Sequence, residues 1–95
     1  MLNIAVLVSG GGTNLQALID AEKAGKIENG KISVVVASKP GVYALERAKN
    51  AGIEGIVLAR SDYENVDVYS EALENLLKEK HTDLIVLAGF MTIIS

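Results

Sequence analysis

The feature that most constrains the fold is a regular alternation of short apolar runs with stretches of helical spacing. Four runs rich in Val, Ile and Leu occupy residues 4–8, 32–37, 56–58 and 84–88. Each run is continuous, which is typical of a strand buried on both faces of a parallel sheet. The sequence therefore predicts four parallel strands separated by three helices, in the order β-α-β-α-β-α-β.

Each stretch between these runs carries an apolar stripe at helical spacing. The stripes are formed by Leu15, Leu18 and Ile19, by Leu45, Ala48 and Ala51, and by Val66, Tyr69, Leu73, Leu76 and Leu77. Gly25 and Gly52 indicate where the first two helices end. Asn65 is a candidate N-cap of the third helix, and Ser61 with Glu64 is an alternative capping box. The predicted fold class is α/β, a Rossmann-like half-fold with helices on both faces of a parallel sheet.

Length, charge and composition narrow the possible functions. With 95 residues, the chain is predicted to be a single phosphate-binding subdomain spanning residues 1–95. A net charge of −3 argues against a nucleic-acid partner, and the absence of Cys excludes disulfides and zinc–thiolate sites. The acids between residues 61 and 83 are interpreted as a solvated helix face, so no metal site is predicted. With no long apolar run and no signal peptide, we expect no membrane association and a cytoplasmic location.

The first predicted strand is followed by a glycine-rich loop, residues 9–14, with the sequence SGGGTN. Loops at the carboxyl ends of parallel strands collect ligand sites, and glycines let the backbone approach an anion beside the free amides of a helix N-terminus. The alternative is a tight turn in which Thr13 or Asn14 caps the helix and binds nothing. The loop matches neither the Walker A pattern nor the dinucleotide fingerprint, so the identity of the anion stays open at this point.

A second informative segment begins at the fourth apolar run and continues as Gly89-Phe90-Met91. At the carboxyl edge of the sheet, Gly89 would allow a ligand to approach closely, and Phe90 and Met91 could form the wall of a pocket. The alternative is that these apolar residues belong to the core beneath a loop.

Together the two segments resemble the N-terminal half of the phosphoribosylglycinamide formyltransferase family, the folate-dependent enzymes of de novo purine synthesis. The likeness is carried by residues 3–16 (NIAVLVSGGGTNLQ), 45–48 (LERA) and 87–91 (LAGFM). The resemblance implies transfer of a formyl group from 10-formyltetrahydrofolate to the amine of glycinamide ribonucleotide, without a metal.

The resemblance also implies roles for particular residues. The positions that match the phosphate-binding loop of the family are Gly11, Gly12, Thr13 and Asn14. Gly89 matches a position beside the ribose, and the edge of the folate pocket is matched by Phe90, Met91 and Thr92. Thr92 stands where family members often carry Arg, so a contact with a positive charge is not expected there.

The catalytic groups of the family, an Asn, a His and an Asp, correspond to positions beyond Ser95. We therefore expect no catalytic residue in this chain and no activity from it alone. His81 and Asp83 are predicted to lie at the opposite edge of the sheet. For Glu46 and Arg47, the expectation is an exposed ion pair within the second helix.

Three functions are thus open. The first is the substrate-phosphate-binding half of a formyltransferase, the second is a non-catalytic nucleotide- or anion-binding module of the same fold, and the third is an interaction domain with a vestigial loop. In the resembled fold the strand from Leu84 to Ala88 lies between the first strand and strands without a counterpart here, so we expect it to be an edge strand without Lys or Pro. Such an edge favours self-association, or else the presence of the remainder of the enzyme as a second polypeptide.

Overall fold

The computed structural model describes residues 1–88 and contains a four-stranded parallel sheet with three α-helices. The strands are β1 (Leu2–Val8), β2 (Gly30–Ala37), β3 (Glu54–Val57) and β4 (Leu84–Leu87). The helices are α1 (Thr13–Lys23), α2 (Tyr43–Asn50) and α3 (Val66–Glu79), and a short 3-10 turn spans Arg60–Asp62. The predicted alternation of strands and helices is confirmed.

The strand order in the sheet is β3-β2-β1-β4, and every neighbouring pair is parallel. The chain steps outward from β1 to β2 and β3, and then returns across the sheet to place β4 on the other side of β1. This reversal makes the carboxyl ends of β1 and β4 the topological switch point, which is where open α/β sheets form their ligand crevice.

Side chains of β1 alternate between two apolar layers. On one face Ile4, Val6 and Val8 pack with Leu15 and Ile19 of α1 and with Ala44 and Ala48 of α2. On the other face Ala5 and Leu7 pack with Tyr69, Leu73 and Leu77 of α3. The helices therefore cover both faces of the sheet, as predicted, with α1 and α2 on one side and α3 on the other.

The pairing of β1 with β2 contains one irregularity. Ile4 is paired with Ile32 but Ala5 with Val34, so Ser33 is an extra residue in β2. The Ser33 hydroxyl donates a hydrogen bond to the Ile4 carbonyl at 3.3 Å. This bulge changes the alternation of β2, because Ile32 and Val35 now contribute to the same apolar layer.

The ends of the helices follow the predicted signals. Gly25 and Gly52 have positive φ angles of 74° and 73° just after α1 and α2. At the start of α3 the Asn65 side chain accepts a hydrogen bond from the Val68 amide at 2.9 Å, which confirms Asn65 as the N-cap. The alternative capping box at Ser61 is wrong, because that residue lies within the separate 3-10 turn.

The expectation that all four strands are buried on both faces holds only for β1 and β2. In β4, Leu84 is 47% exposed and Leu87 is 60% exposed, and in β3 only Ile56 is partly buried. The physical reason is position: β3 and β4 are the outer strands of the sheet formed by residues 1–88, so each has a neighbouring strand on one side only within this range. Apolar composition alone does not reveal this difference.

Candidate functional site

The site predicted at the glycine loop lies at the switch point of the sheet. Ser9 and Gly10 continue directly from β1, and the amide of Ala88, just after β4, donates to the Leu7 carbonyl at 2.9 Å. The carboxyl end of β1, which leads into the glycine loop, and the carboxyl end of β4 are thereby adjacent. The remaining predicted site residues, Gly89, Phe90, Met91 and Thr92, lie outside the described residues, and their roles stay predictions.

Helix α1 begins immediately after Gly12, whose backbone is left-handed at φ 80° and ψ 31°. The Gly12 carbonyl accepts the first helical hydrogen bond, from the Gln16 amide at 2.8 Å, and no side chain caps the helix. The interpretation of Thr13 or Asn14 as a cap is therefore wrong. Both side chains are exposed. The first-turn amides have no partner within the helix, and no side chain of residues 1–88 caps them.

A close approach between α1 and α2 requires glycine at position 12. A Cβ atom placed on Gly12 would lie 2.7 Å from the Cβ and 3.0 Å from the Cα of Ala44. At Gly10 and Gly11 a Cβ would meet no atom of the described residues within 4 Å. The three consecutive glycines thus differ: the last is fixed by packing and conformation, and the first two border open space.

Arg47 of α2 contacts the same loop. Its Nε donates to the Gly11 carbonyl at 2.8 Å, its Nη1 donates to Gln16 Oε1 at 3.1 Å, and its guanidinium lies over the Tyr43 ring at 4.8 Å. The expected ion pair with Glu46 is wrong, because Arg47 reaches across to α1 instead of along its own helix. The only sequence signal was the i,i+4 spacing of Tyr43 and Arg47, which places both side chains on one helix face.

Two buried hydroxyls tie the loop to the next strand. Ser9 Oγ and Ser38 Oγ lie 2.8 Å apart, at the carboxyl ends of β1 and β2. The Ser38 amide donates to the Val8 carbonyl at 3.0 Å, and the Ser38 carbonyl accepts from the Arg60 amide at 3.0 Å. Sequence reasoning did not identify this pair, since each Ser by itself is unremarkable in a turn and the two are 29 residues apart.

The opposite edge of the sheet holds the other residues considered for chemistry. Asp83 accepts a hydrogen bond from the Asn3 amide at 2.8 Å, and the His81 carbonyl accepts from Asn3 Nδ2 at 3.1 Å. Both residues precede β4 and lie away from the glycine loop, as predicted. Their contacts join the loop after α3 to the start of β1, which is a structural role.

The chemistry available at the loop is anion binding. Residues 9–14 contain no titratable side chain, while the positive end of the α1 dipole and the Arg47 guanidinium both favour negative charge. Within residues 1–88, no group of three His, Asp or Glu side chains is placed to hold a metal ion. Over the same range, none of the helices has the length and apolar character needed to cross a bilayer.

Comparison with known proteins identifies similar chains. The formyl transferase family model matches residues 2–95. The chain is 44% identical over 93 residues to the trifunctional purine biosynthetic protein adenosine-3 of Drosophila melanogaster, covering 97% of this chain and 7% of that protein. It is 43% identical over 94 residues to phosphoribosylglycinamide formyltransferase of Escherichia coli, covering 99% of this chain and 44% of the relative.

Solved structures agree with these sequence matches. The crystal structure of glycinamide ribonucleotide transformylase 1 from Symbiobacterium toebii superimposes with a TM-score of 0.93 at 37% identity, covering 100% of this chain and 44% of that one. The phosphoribosylglycinamide formyltransferase of Coxiella burnetii gives a TM-score of 0.90 at 34% identity and 99% coverage of this chain. The chain thus spans less than half the length of these relatives, 44% in both solved structures.

Proposed function

The chain belongs to the formyl transferase family, and from that premise we propose that it forms the substrate-phosphate-binding half of a phosphoribosylglycinamide formyltransferase. In this proposal, the amides of Gly12, Thr13 and Asn14, with Gly11 beside them, hold the phosphate of glycinamide ribonucleotide. Membership of the family supports the substrate class, and the amides of the loop support the way in which the phosphate is bound.

The observation that carries the proposal is the uncapped start of α1 at the switch point. Gly12 occupies the cap position without a side-chain oxygen, so no carboxylate, hydroxyl or amide oxygen of the cap competes for the first-turn amides. A phosphate placed there accepts hydrogen bonds from these amides and lies on the helix axis, where the dipole favours an anion. The neighbouring end of β4 precedes, in the sequence, the segment that resembles the ribose and folate sites.

An isosteric charge change tests the phosphate site. Asn14→Asp adds a carboxylate in the first turn of α1, where it favours the helix through the dipole but repels a bound phosphate. We expect a heteronuclear NMR titration with inorganic phosphate to shift the amides of Gly12, Thr13 and Asn14 in the unchanged chain. In Asn14→Asp the dissociation constant should rise by about tenfold, since two charges about 4 Å apart near a surface interact by more than about 1 kcal/mol.

Asn75→Asp is the matched control, because it makes the same change on an exposed position of α3, on the other face of the sheet. Its phosphate affinity should equal that of the unchanged chain. If phosphate shifts amides elsewhere and leaves those of the loop unmoved, the assignment of the site is wrong.

The formyl donor in this proposal is 10-formyltetrahydrofolate, and the acceptor is the amine of glycinamide ribonucleotide. The amine nitrogen bonds to the formyl carbon and loses a proton, while the bond from that carbon to the folate nitrogen breaks and the folate nitrogen gains a proton. Proton transfer in such a step needs general acid–base groups, which the glycine loop does not contain. The role proposed for this loop is therefore to hold and orient the substrate rather than to move protons.

A chimera tests the complete activity. Residues 1–95 would replace the 94 matching residues of the Escherichia coli relative, to which they are 43% identical. We expect the folded chimera to form formylated product from glycinamide ribonucleotide and 10-formyltetrahydrofolate, and Asn14→Asp in the chimera to raise KM for the ribonucleotide. A folded chimera that binds phosphate but makes no product would favour a non-catalytic anion-binding module.

We further propose that the free side of β4 takes up a partner strand. Leu84, Ile85 and Leu87 are exposed, and β4 pairs with β1 on one side only among the described residues. Within the protein assembly, the partner is either a segment of a formyltransferase polypeptide or a second copy of this chain. In a solution of this chain alone the partner strand would come from a second copy, which makes its self-association testable.

A further inference from the structure

The loop peptide between Gly11 and Gly12 is held from one side only. In a trans peptide, the carbonyl of the first residue and the N–H of the second point in opposite directions. The Gly11 carbonyl points toward α2, where it accepts a hydrogen bond from Arg47 Nε at 2.8 Å. The Gly12 N–H is thereby directed away from the guanidinium, on the side opposite α2.

Both residues of this peptide are glycines, so a flip that changes ψ of Gly11 and φ of Gly12 can leave the Gly12 Cα in its place beside Ala44. Glycine accepts backbone conformations that other residues avoid, and a notional Cβ on Gly11 has no heavy atom of the described residues within 4 Å. A flip of the Gly11–Gly12 peptide would exchange the two groups and present a carbonyl oxygen where an anion has to bind. An oxygen in that position repels phosphate, so the loop needs a contact that selects one orientation.

We propose that Arg47 is a positioning residue that keeps the Gly11–Gly12 peptide in the phosphate-binding orientation. The inference deepens the proposed function and rests on it, because the orientation matters only if the loop binds phosphate. Arg47 suits this role for a geometric reason. Its planar guanidinium bonds two groups at once, the Gly11 carbonyl and the Gln16 side chain at 3.1 Å.

Two further contacts fix the guanidinium itself. The ring of Tyr43 lies 4.8 Å below it, and Gln16 is held in turn by a hydrogen bond from its Nε2 to Asp20 Oδ1 at 3.0 Å. Arg47 is half-buried, so its contacts are shielded in part from water. The result is a bridge from α2 to the loop on one side and to α1 on the other.

The test measures phosphate affinity at constant ionic strength in the unchanged chain and in three variants. In Arg47→Met we expect the dissociation constant for inorganic phosphate to rise by about tenfold, the size of one lost charge-assisted hydrogen bond. The dissociation constant of Arg47→Lys should lie between those of the unchanged chain and Arg47→Met, because an ammonium keeps the charge and one hydrogen bond but not the bidentate geometry. Lys49→Met removes the same charge from the exposed side of α2, and its affinity should change by less than about twofold.

A second measurement separates positioning from a general loss of stability. In the phosphate-free protein, the NMR chemical shifts of the Gly11 carbonyl carbon and the Gly12 amide nitrogen should change in Arg47→Met. The chemical shifts of the core residues in β1 and β2 should stay the same. Melting temperatures are compared in parallel. If Arg47→Met does not fold, Arg47→Lys decides the question by the same criteria.

The outcomes distinguish this inference from the proposed function. If phosphate leaves the loop amides of the unchanged chain unmoved, the proposed phosphate site fails and the positioning role fails with it. If the unchanged chain binds phosphate and Arg47→Met, or Arg47→Lys in its place, binds equally well, only the positioning role is overturned. If Lys49→Met weakened phosphate binding as much as Arg47→Met, the positioning role would also be overturned, since net charge would then explain the effect.

Discussion

At the scale of single residues, Gly10 and Gly12 give opposite expectations for the same substitution. Gly12→Ala places a methyl group 2.7 Å from the Ala44 Cβ and strains a residue with φ of 80°. The left-handed conformation costs a non-glycine residue roughly 1–2 kcal/mol, and overpacking adds about 1–3 kcal/mol. We expect Gly12→Ala to lower the free energy of unfolding by about 2–5 kcal/mol in urea denaturation.

Gly10→Ala is the control within the same loop. Its added Cβ meets no atom within 4 Å, so we expect a change of less than about 0.5 kcal/mol. Equal destabilisation by the two substitutions would show that loop flexibility, and not the contact between α1 and α2, sets the requirement for glycine.

Tyr69 is the residue that links stability to alkaline pH. Its ring is fully buried, its hydroxyl donates to the Leu58 carbonyl at 2.7 Å, and the Tyr63 ring packs edge-on against it at 5.4 Å. Burial, reinforced by the nearby Tyr63, raises the pKa of the Tyr69 phenol above its usual 10.0. The phenol thus loses its proton more easily in the unfolded chain, and stability is lost as the pH rises from about 10 through the folded pKa.

We expect Tyr69→Phe to destabilise the fold by about 1–2 kcal/mol at pH 7, because the Leu58 carbonyl loses its donor. The fall in unfolding free energy above pH 10 should be shallower than in the unchanged chain. Tyr43→Phe is the control, since Tyr43 is 57% exposed. The assignment would be wrong if both variants kept the same alkaline profile as the unchanged chain.

At the scale of the elements, α3 depends on its cap. It is the only helix among the described residues with a side-chain cap, the bond from the Val68 amide to Asn65 Oδ1. It also covers the second apolar layer alone, through Tyr69, Leu73 and Leu77. Destabilising the start of α3 therefore weakens the packing of that entire layer.

Asn65→Ala should lower the unfolding free energy by about 1 kcal/mol, the usual value of such a cap. Asn65→Ser, which can still accept the hydrogen bond, should restore most of it. Asn75→Ala makes the same substitution at an exposed position inside α3, where Ala has the higher helix propensity, so no loss is expected. Thermal denaturation of the three variants compares them directly, and equal loss in Asn65→Ala and Asn65→Ser would contradict the capping role.

At the scale of the whole molecule, the two outer strands are protected unequally. In β3, Glu54 forms an ion pair with Lys80, with 3.1 Å between Oε2 and Nζ. This pair places charged groups at the β3 side of the sheet. β4 contains only Leu84, Ile85, Val86 and Leu87, with Ile85 48% exposed. A cavity of about 400 Å³ lies between β4 and α3 and is lined by Leu7, Leu73, Leu77 and Ile85 among others.

We therefore expect the isolated chain to associate through β4 in a concentration-dependent manner. Light scattering should give an apparent mass above 10.0 kDa that rises with concentration. Ile85→Lys should return the mass to that of the monomer, while Val57→Lys, at a position of β3 that is 42% exposed, should leave association unchanged. A concentration-independent monomer before mutation would refute the association through this edge.

The sequence by itself determined the order of elements, the fold class and the position of the glycine loop, and it limited the cap of the third helix to Asn65 or a capping box at Ser61. These features depend on local signals: continuous apolar runs, helical stripes, and residues such as Gly25 whose conformation is set within a few positions. The same local motifs carried the resemblance to the formyltransferase family, which the comparisons confirm.

Tertiary structure alone decided how β2 is bulged at Ser33 and which side chains support the loop. Arg47 bonds Gly11 across 36 residues of chain, and Ser9 meets Ser38 across 29. Such contacts depend on how helices and strands pack, and no local pattern encodes the partner of a side chain that reaches another element. For the same reason, the apolar run in β4 could predict a strand but not the exposure of its face, since burial depends on what the rest of the fold places over it.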